Sequence, residues 1–282
     1  MDQFIVINCF LNVPSMLLSI TGNVLVLATI LKTPSLRSPA VILLCSLAVS
    51  DLLVGLLVQP VYIAHELKPG PVLRHGANML FNIVCGVSLC TMTVISVDRF
   101  LALHYHMRYP NLMTEKRVLH ISASIWFIVI LLSCLSLWHR SHTVLTVSII
   151  ICLLVCTVSY IRIYQIVRCH QLQIQAQQQA VQSLNTEHHL DMMRSKKNAL
   201  STFIYYTCMI LCYSPMFTYM LIYATNPTLS YQMWTLTNTL VFMNSCINPV
   251  LYCCRVRELR TAVFKTLQNT SCKQRNQRNS VR

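Results

Sequence analysis

Seven long apolar stretches constrain this chain more than any other feature of its sequence. Each stretch can cross a bilayer as an α-helix, which takes roughly 20 predominantly apolar residues. Only helices and closed barrels satisfy all their backbone hydrogen bonds within lipid. We therefore expect an all-α membrane protein, a bundle of seven transmembrane helices. The predicted spans lie near residues 7–31, 40–65, 75–97, 118–138, 143–166, 198–225 and 230–254.

The composition supports a chain that uses the bilayer as its solvent. Of the 282 residues, 55% are hydrophobic and 11% are charged, which is too little polar surface for a soluble domain of this size. The first apolar stretch has no basic region before it and no small-residue cleavage site after it. We therefore predict that it stays as a span and is not removed as a signal peptide.

Lysine and arginine are distributed unevenly between the two sides of the predicted bundle. Most of them lie after spans one, three and five and in the tail, whereas the opposite side holds only Lys68, Arg74 and Arg140. The positive-inside rule then predicts an extracellular amino terminus and a cytoplasmic carboxyl terminus. The net charge of +14 accordingly indicates a cytoplasmic face that meets anionic lipid, and not a nucleic-acid-binding surface.

Two further features follow span seven. Apolar residues recur at helical spacing between basic ones, which predicts a short amphipathic eighth helix at 256–267 on the inner membrane surface. The membrane domain would thus occupy 1–267, and 268–282 would form a cytoplasmic tail. Cys272 lies just beyond the helix and is a candidate for palmitoylation, with an unmodified thiol as the alternative.

Asp51 is an acidic residue in the middle of a predicted span, where a charge costs about 3 kcal/mol or more. Oxygen-bearing side chains on the other spans could join it around a monovalent cation, or could hydrogen-bond its protonated form. A polar cluster that only joins helices is the structural alternative. The candidate partners are Asn23, Ser88, Asn244, Ser245 and Asn248.

Span three ends in Asp98-Arg99-Phe100, and spans six and seven contain Pro215 and Pro249. The Asp98 carboxylate can hold the Arg99 guanidinium in a closed pair and release it. Proline frees a backbone carbonyl and kinks a membrane helix. A kinked inner half could swing while the outer half stays packed, although a kink can also be plain architecture.

Together and in this order, the motifs resemble those of the rhodopsin-like (class A) G-protein-coupled receptors. The resemblance covers all seven spans and the tail helix, roughly residues 10–267. The residues that carry it are Gly22-Asn23, the Leu-Ala-x-x-Asp run ending at Asp51, Asp98-Arg99-Phe100, Trp126, Tyr160, Pro215 and Asn248-Pro249-x-x-Tyr252.

The resemblance implies a plasma-membrane receptor that binds a small extracellular ligand and activates a heterotrimeric G protein by outward movement of span six. Arrestin and a receptor kinase are further implied partners, and Na⁺ is the only implied cofactor, as an allosteric ion. The implied sodium site consists of Asp51, Ser88, Asn244, Ser245 and Asn248. The residues that the resemblance assigns to G-protein coupling and activation are Asp98, Arg99, Phe100, Met107, Tyr160, Pro215, Asn248, Pro249 and Tyr252.

The resemblance also assigns a ligand pocket by position. Its lining is apolar with two amides, which favours a neutral or lipid-like small molecule, although any one of these residues could belong to the packed core instead. The lining residues would be Phe81, Asn82, Cys85, Tyr213, Met216, Phe217, Met220, Asn238 and Phe242, with His65 and Glu66 near the mouth.

The chain departs from the family at several of these positions. Tyr213 replaces the usual Trp beneath the ligand, Cys152 replaces a common Pro in span five, and Arg74 replaces the cysteine of the customary outer disulfide. The short second outer loop and the missing disulfide resemble the melanocortin receptors, but the acidic ligand cluster of that subfamily is absent. Phe81 stands where amine receptors carry their ammonium-binding Asp, which argues against a biogenic amine.

Other classes of protein fit the sequence less well. A transporter or channel would carry several intramembrane ionisable residues or internal repeats. An intramembrane enzyme would need a second catalytic Asp or a zinc motif, so we expect no enzymatic activity. A receptor-shaped ligand binder that does not couple to G protein is the closest alternative, because Tyr213 and Cys152 depart from the family although Arg99 and Tyr252 are retained.

Overall fold

Seven long helices form the fold. The computed structural model describes residues 3–33, 38–105, 108–139, 143–180, 186–226, 230–255 and 259–264, and these ranges contain helices and no strand. A short helix, α8, occupies 259–264, within the predicted amphipathic segment. The long helices are α1 (Gln3–Lys32), α2 (Pro39–Leu67), α3 (Pro71–His104), α4 (Glu115–His139), α5 (Thr143–Ala180), α6 (Thr186–Thr225) and α7 (Tyr231–Arg255).

The long helices coincide with the predicted apolar spans and mostly extend past them. Within the described residues, α1 to α5 each contain a segment long and apolar enough to cross a membrane. The largest extensions are those of α5 and α6 into the polar segment between them. We call the end of the bundle where α1, α3, α5 and α7 begin the upper end, and the opposite end the lower end.

The helices α2, α3 and α7 contribute many buried residues to the centre of the bundle. In the most apolar segments of α2 and α3, 56% and 50% of the residues are buried, against 22% in α4. The helices approach closely where glycine removes a side chain. A Cβ on Gly22 of α1 would lie 2.9 Å from Cγ of Pro249 in α7, and one on Gly86 of α3 would lie 2.9 Å from Cγ1 of Val129 in α4.

A single π-helical turn, Val54–Val58, interrupts α2. This turn was not predicted from the sequence. Pro60, two residues later, has no N–H to donate and its ring clashes with the preceding α-helical turn, and the wider turn relieves both conflicts. One extra residue in the turn rotates the rest of α2 by about 100°. On that rotated segment Gln59, Tyr62 and Glu66 are buried.

Candidate functional site

The buried carboxylate of Asp51 lies at the middle of the bundle and joins three helices. Ser88 of α3 donates a hydrogen bond from Oγ to Oδ1 at 3.0 Å, and Asn248 of α7 donates from Nδ2 to Oδ2 at 2.8 Å. Ser50 Oγ lies 2.9 Å from Ser88 Oγ. Asp51 itself is fully buried. Polar side chains from α2, α3 and α7 therefore converge on one acidic group.

The structure places most of the predicted sodium site around this carboxylate. Ser245 and Tyr252 of α7 also face Asp51. Asn244 is buried nearby, but its Nδ2 contacts Met92 Sδ at 3.5 Å and not Asp51. The carboxylate thus has Tyr252 as an α7 neighbour that the predicted site did not contain, and Asn244 takes a different partner.

The oxygens around Asp51 fit a small hard cation. Oδ1 of Asn248 and Oδ1 of Asn23 are buried amide oxygens without a hydrogen-bond donor among the described residues. Carboxylate, hydroxyl and amide oxygens are the ligands that hard cations take in proteins. The cluster could accordingly hold Na⁺ through Asp51 and Ser88, with amide oxygens completing its coordination.

Asn23 ties α1 to the same region. Its Nδ2 donates to the backbone oxygens of Ser19, at 2.9 Å, and Ser245, at 3.2 Å. Ser19 Oγ in turn donates to the backbone oxygen of Asp51 at 2.8 Å. These bonds and the nearby glycine contact give the Gly-Asn motif of span one a physical role, because α1 is anchored to both α2 and α7.

The lower end of α3 carries the predicted closed ion pair. Nη2 of Arg99 lies 3.0 Å from Oδ2 of Asp98, whose side chain is 1% exposed. Tyr109, in a short helical turn between α3 and α4, donates from its hydroxyl to Oδ1 of Asp98 at 2.7 Å. Burial and the hydrogen bond to Asp98 raise the pKa of Tyr109, so its phenol keeps the proton that it donates. Phe100, beside the pair, stacks on His104 with ring centroids 5.4 Å apart.

Tyr160 connects three helices above this pair. Its hydroxyl accepts a hydrogen bond from Ser96 Oγ of α3 at 3.2 Å, and its ring centroid lies 4.5 Å from that of Tyr206 in α6. Tyr206 donates to Thr157 of α5 at 2.9 Å. A movement of α6 would therefore act directly on Tyr160. Tyr252 of α7 is buried near Asp51.

The two predicted kink residues lie inside long helices. Pro215 is within α6 and Pro249 is within α7. Tyr213, two residues before Pro215, is 4% exposed. Pro249 follows Asn248, the residue that binds Asp51. Each proline is thus adjacent to a buried side chain at the centre of the bundle.

An upper cavity of about 310 Å³ lies between α2, α3, α6 and α7. Its walls contain six of the residues that the resemblance assigned to ligand binding. Asn238 Oδ1 and His65 Nδ1 are buried without a hydrogen-bond partner among the described residues. The six residues are His65, Glu66, Phe81, Met220, Asn238 and Phe242.

A second cavity, of about 100 Å³, lies lower, between α3, α4, α5 and α6. The predicted ligand residues therefore divide between two cavities, with Phe81 and Met220 lining both. Phe217 lines neither of them. Met107 and Cys272 are outside the described residues. The other predicted residues that line the lower cavity are Asn82, Cys85, Tyr213 and Met216.

A buried polar network beside the upper cavity was not predicted from the sequence. Asn8 of α1 accepts a hydrogen bond from Thr239 of α7 at 2.7 Å and donates to Tyr62 of α2 at 3.1 Å. Asn12, one turn below, donates to Thr239 at 3.0 Å. The signal available in the sequence was the spacing of the two asparagines, which places both on one face of α1.

The cysteines that the structure describes are all free. Arg74 is exposed in the first turn of α3, where the sequence has no cysteine for an outer disulfide. Cys152 of α5, at the position where a proline is common, has its Sγ 3.9 Å from Sγ of Cys90 in α3. The cysteine that replaces the common proline of span five therefore forms a contact between α3 and α5 at the lower cavity.

These features define a polytopic helical membrane protein with a buried acidic cluster at its centre and a cavity at its upper end. The family described as seven-transmembrane receptor (rhodopsin family) matches residues 22–146 and 138–252 in two overlapping segments. The chain belongs to this family, and the rhodopsin-like, class A assignment made from its motifs is confirmed. The predicted seven-helix membrane bundle is confirmed with it.

Proposed function

We propose that this chain is a plasma-membrane receptor that binds a small extracellular ligand in the upper cavity and activates a heterotrimeric G protein at the lower end. The asymmetry of lysine and arginine supports an extracellular upper end and a cytoplasmic lower end. Membership of a receptor family supports signalling in preference to transport or catalysis. Arrestin and a receptor kinase would use the same lower surface.

The observation that carries the proposal is the closed arrangement of Asp98, Arg99 and Tyr109. A guanidinium held beside a buried carboxylate is a two-state element, because it can remain paired or turn into a newly opened space. Outward movement of α6 about Pro215 would separate Tyr206 from Tyr160 and open that space beside α3. The G protein would bind the open state and so increase its population.

One helix links the upper cavity to the lower end. On α7, Asn238 and Phe242 line the upper cavity. Farther down the same helix, Asn248 binds the Asp51 carboxylate, and Tyr252 faces it from one turn below. A ligand that moves α7 or α6 would therefore disturb the central cluster on the path to the lower end.

We propose Na⁺ as a ligand of the central cluster in the resting state. Asp51, Ser88, Ser245 and Asn248 would hold it, with Asn244 able to contribute only if its amide turns away from Met92. The ion would supply a positive charge that neutralises the buried carboxylate. It shifts the equilibrium only to the extent that it binds the resting state better than the active state.

The test is basal recruitment of each G-protein class to the receptor in cells. We expect recruitment of one class by the wild type, and its loss in Arg99→Ala and Tyr252→Ala at equal surface expression. Lys68→Ala, an exposed basic residue at the upper end, serves as the control and should behave as the wild type does. Equal recruitment by the wild type and Arg99→Ala would contradict the proposed role of the ion pair.

A receptor-shaped protein that binds its ligand without coupling is the second candidate. The enclosed phenol of Tyr213 beneath the cavities favours it, because the family usually has a Trp at this position and the trigger is therefore altered. Ligand-induced stabilisation of the purified protein, together with silence toward every G-protein class at confirmed surface expression, would support this candidate.

A further inference from the structure

Glu66 presents a buried acidic group in the wall of the upper cavity. Its side chain is 4% exposed, and its Oε1 accepts a hydrogen bond from the hydroxyl of Tyr231 at 2.8 Å. The other oxygen, Oε2, is buried and has no hydrogen-bond partner within the described ranges. Burial of an unpartnered charged oxygen is costly, and native structures rarely tolerate it without a reason.

The described residues around Glu66 form no ion pair with it, although the charge of Arg74 acts on Tyr231, its hydrogen-bond partner. His65 and Arg74 line the same cavity, but the ion pair recorded in the described part of the chain is the one between Asp98 and Arg99. Arg74 is exposed in the first turn of α3, where water and salt screen its charge. An ionised Glu66 therefore has no ion-pair partner within the described ranges.

Aromatic rings form much of the cavity wall. Nearly half of the lining side chains are aromatic. Tyr62, Phe242 and Phe81 contact one another in sequence, with centroid distances of 5.2 and 5.7 Å. Trp234 continues this chain of rings, 6.4 Å from Phe81 and 5.4 Å from Tyr219. The faces of such rings attract organic cations, most strongly where water is excluded.

We propose that the upper cavity binds a compact organic cation, an amine or a guanidine, whose charged group pairs with Glu66 and whose body packs on the aromatic wall. This inference rests on the proposed function, which assigns the ligand to that cavity. A volume of about 310 Å³ is at the small end of ligand sites, so the ligand is a small molecule. The ligand class differs from the neutral or lipid-like class that the sequence favoured, because the sequence could not show that Glu66 is buried without a counter-charge.

The cation is recognised here without the Asp that amine receptors carry on span three. Phe81 occupies that position and contributes a ring to the wall, while the carboxylate comes from Glu66 of α2, one residue before Leu67, where the helix ends. Tyr231 fixes the orientation of Glu66 by its hydrogen bond from the first residue of α7. The cation would thus bridge α2 to the helices that supply the aromatic wall.

The test uses the purified full-length receptor and matched pairs of small probes. Melting temperature is measured against increasing concentrations of choline, phenethylamine and phenylguanidine, and of their neutral counterparts dimethylbutanol, phenethyl alcohol and phenylurea. We expect at least one cation to stabilise the receptor at concentrations where its neutral counterpart does not. The inference is overturned if no cation stabilises the receptor more than its neutral counterpart.

Variants assign the effect to Glu66. Glu66→Gln keeps the shape of the side chain and should weaken binding of the stabilising cation by about 30-fold or more. Glu115→Gln, an exposed residue at the lower end of α4, should bind it as the wild type does. Trp234→Leu should weaken binding of the cation by about fivefold, which corresponds to the loss of about 1 kcal/mol of cation–ring attraction. Unchanged binding by Glu66→Gln would refute the inference.

The design separates this inference from the proposed function. Stabilisation of the purified receptor needs no G protein. A melting-temperature increase that is larger for cations than for neutral probes would therefore still support the inference if no G protein were recruited. If a G protein is recruited but cations and neutral probes stabilise the receptor equally, the cation inference is refuted and the proposed function is not. If Glu66→Gln fails to fold, Tyr231→Phe provides a second variant, which removes the hydrogen bond and keeps the charge. It should retain the preference for cations, and loss of that preference would count against the inference.

Discussion

Asp51 joins α2 to three other helices through hydrogen bonds. Its two oxygens accept hydrogen bonds from α3 and α7, and its own backbone oxygen accepts one from α1. Each bond to a charged group is worth about 1.5–3 kcal/mol. A cation bound at this cluster would favour whichever arrangement of these helices keeps the oxygens together.

We predict that replacing Asp51 by Asn removes the sodium dependence of basal signalling. In the wild type, raising Na⁺ at constant ionic strength with K⁺ as the replacement should lower basal G-protein recruitment, because the ion stabilises the resting state. Asp51→Asn keeps the size of the side chain but lacks the charge that attracts the ion. The prediction is wrong if wild type and variant respond equally to Na⁺.

At the residue scale, the sequence predicted some partners well and others not at all. Ser88 and Asn248 could be assigned to Asp51 because a charge in mid-span demands polar partners and few were available. The missing counter-charge of Glu66 could not be inferred, since it depends on where His65 and Arg74 point. A motif specifies residue types at a spacing, and only packing decides which side chains meet.

At the scale of the helices, the missing side chain of Gly22 allows the close approach of α1 and α7. Gly22 lets Pro249 approach so closely that a Cβ would lie 2.9 Å from the ring. The helix with the kink residue of span seven therefore rests on α1 next to the Asn23 hydrogen bonds. Small residues play this role generally in membrane bundles, where helices associate by close packing.

Gly22→Ala should destabilise the receptor. The added methyl group overpacks the contact with Pro249, at a cost of about 1–3 kcal/mol, and melting temperature of the purified protein should fall. Gly76→Ala in α3 is the matched control, because a Cβ there meets nothing within 4 Å and alanine favours helix over glycine. Equal changes in the two variants would show that the contact does not limit stability.

The existence of the helices was predictable, and their local irregularities were not. Apolar length alone indicates a span, because the bilayer requires about 20 such residues. The π-helical turn at Val54–Val58 leaves no such mark, since one extra residue changes the facing of α2 without changing its hydropathy. Pro60 was the available signal. The long polar extensions of α5 and α6 also have no apolar pattern that fixes their ends.

At the scale of the whole molecule, three sites lie in series along the bundle. The upper cavity, the Asp51 cluster and the Asp98 and Arg99 pair are connected through α3 and α7. Under the proposed function, ligand binding at the upper end would couple to G-protein binding at the lower end, and the coupling would act equally in both directions. The order of these sites could be predicted from the motifs, whereas the division of the ligand residues between two cavities could not.

The most direct test of the account is the distance between the lower halves of α3 and α6. Spin labels carried by noncanonical amino acids at Leu103 and Ile204, both exposed, avoid the 14 cysteines of the chain. Pulsed electron resonance then measures their separation in the receptor alone and in complex with the recruited G protein. The account predicts a longer distance in the complex, because α6 moves outward; an unchanged distance in a confirmed complex would contradict it.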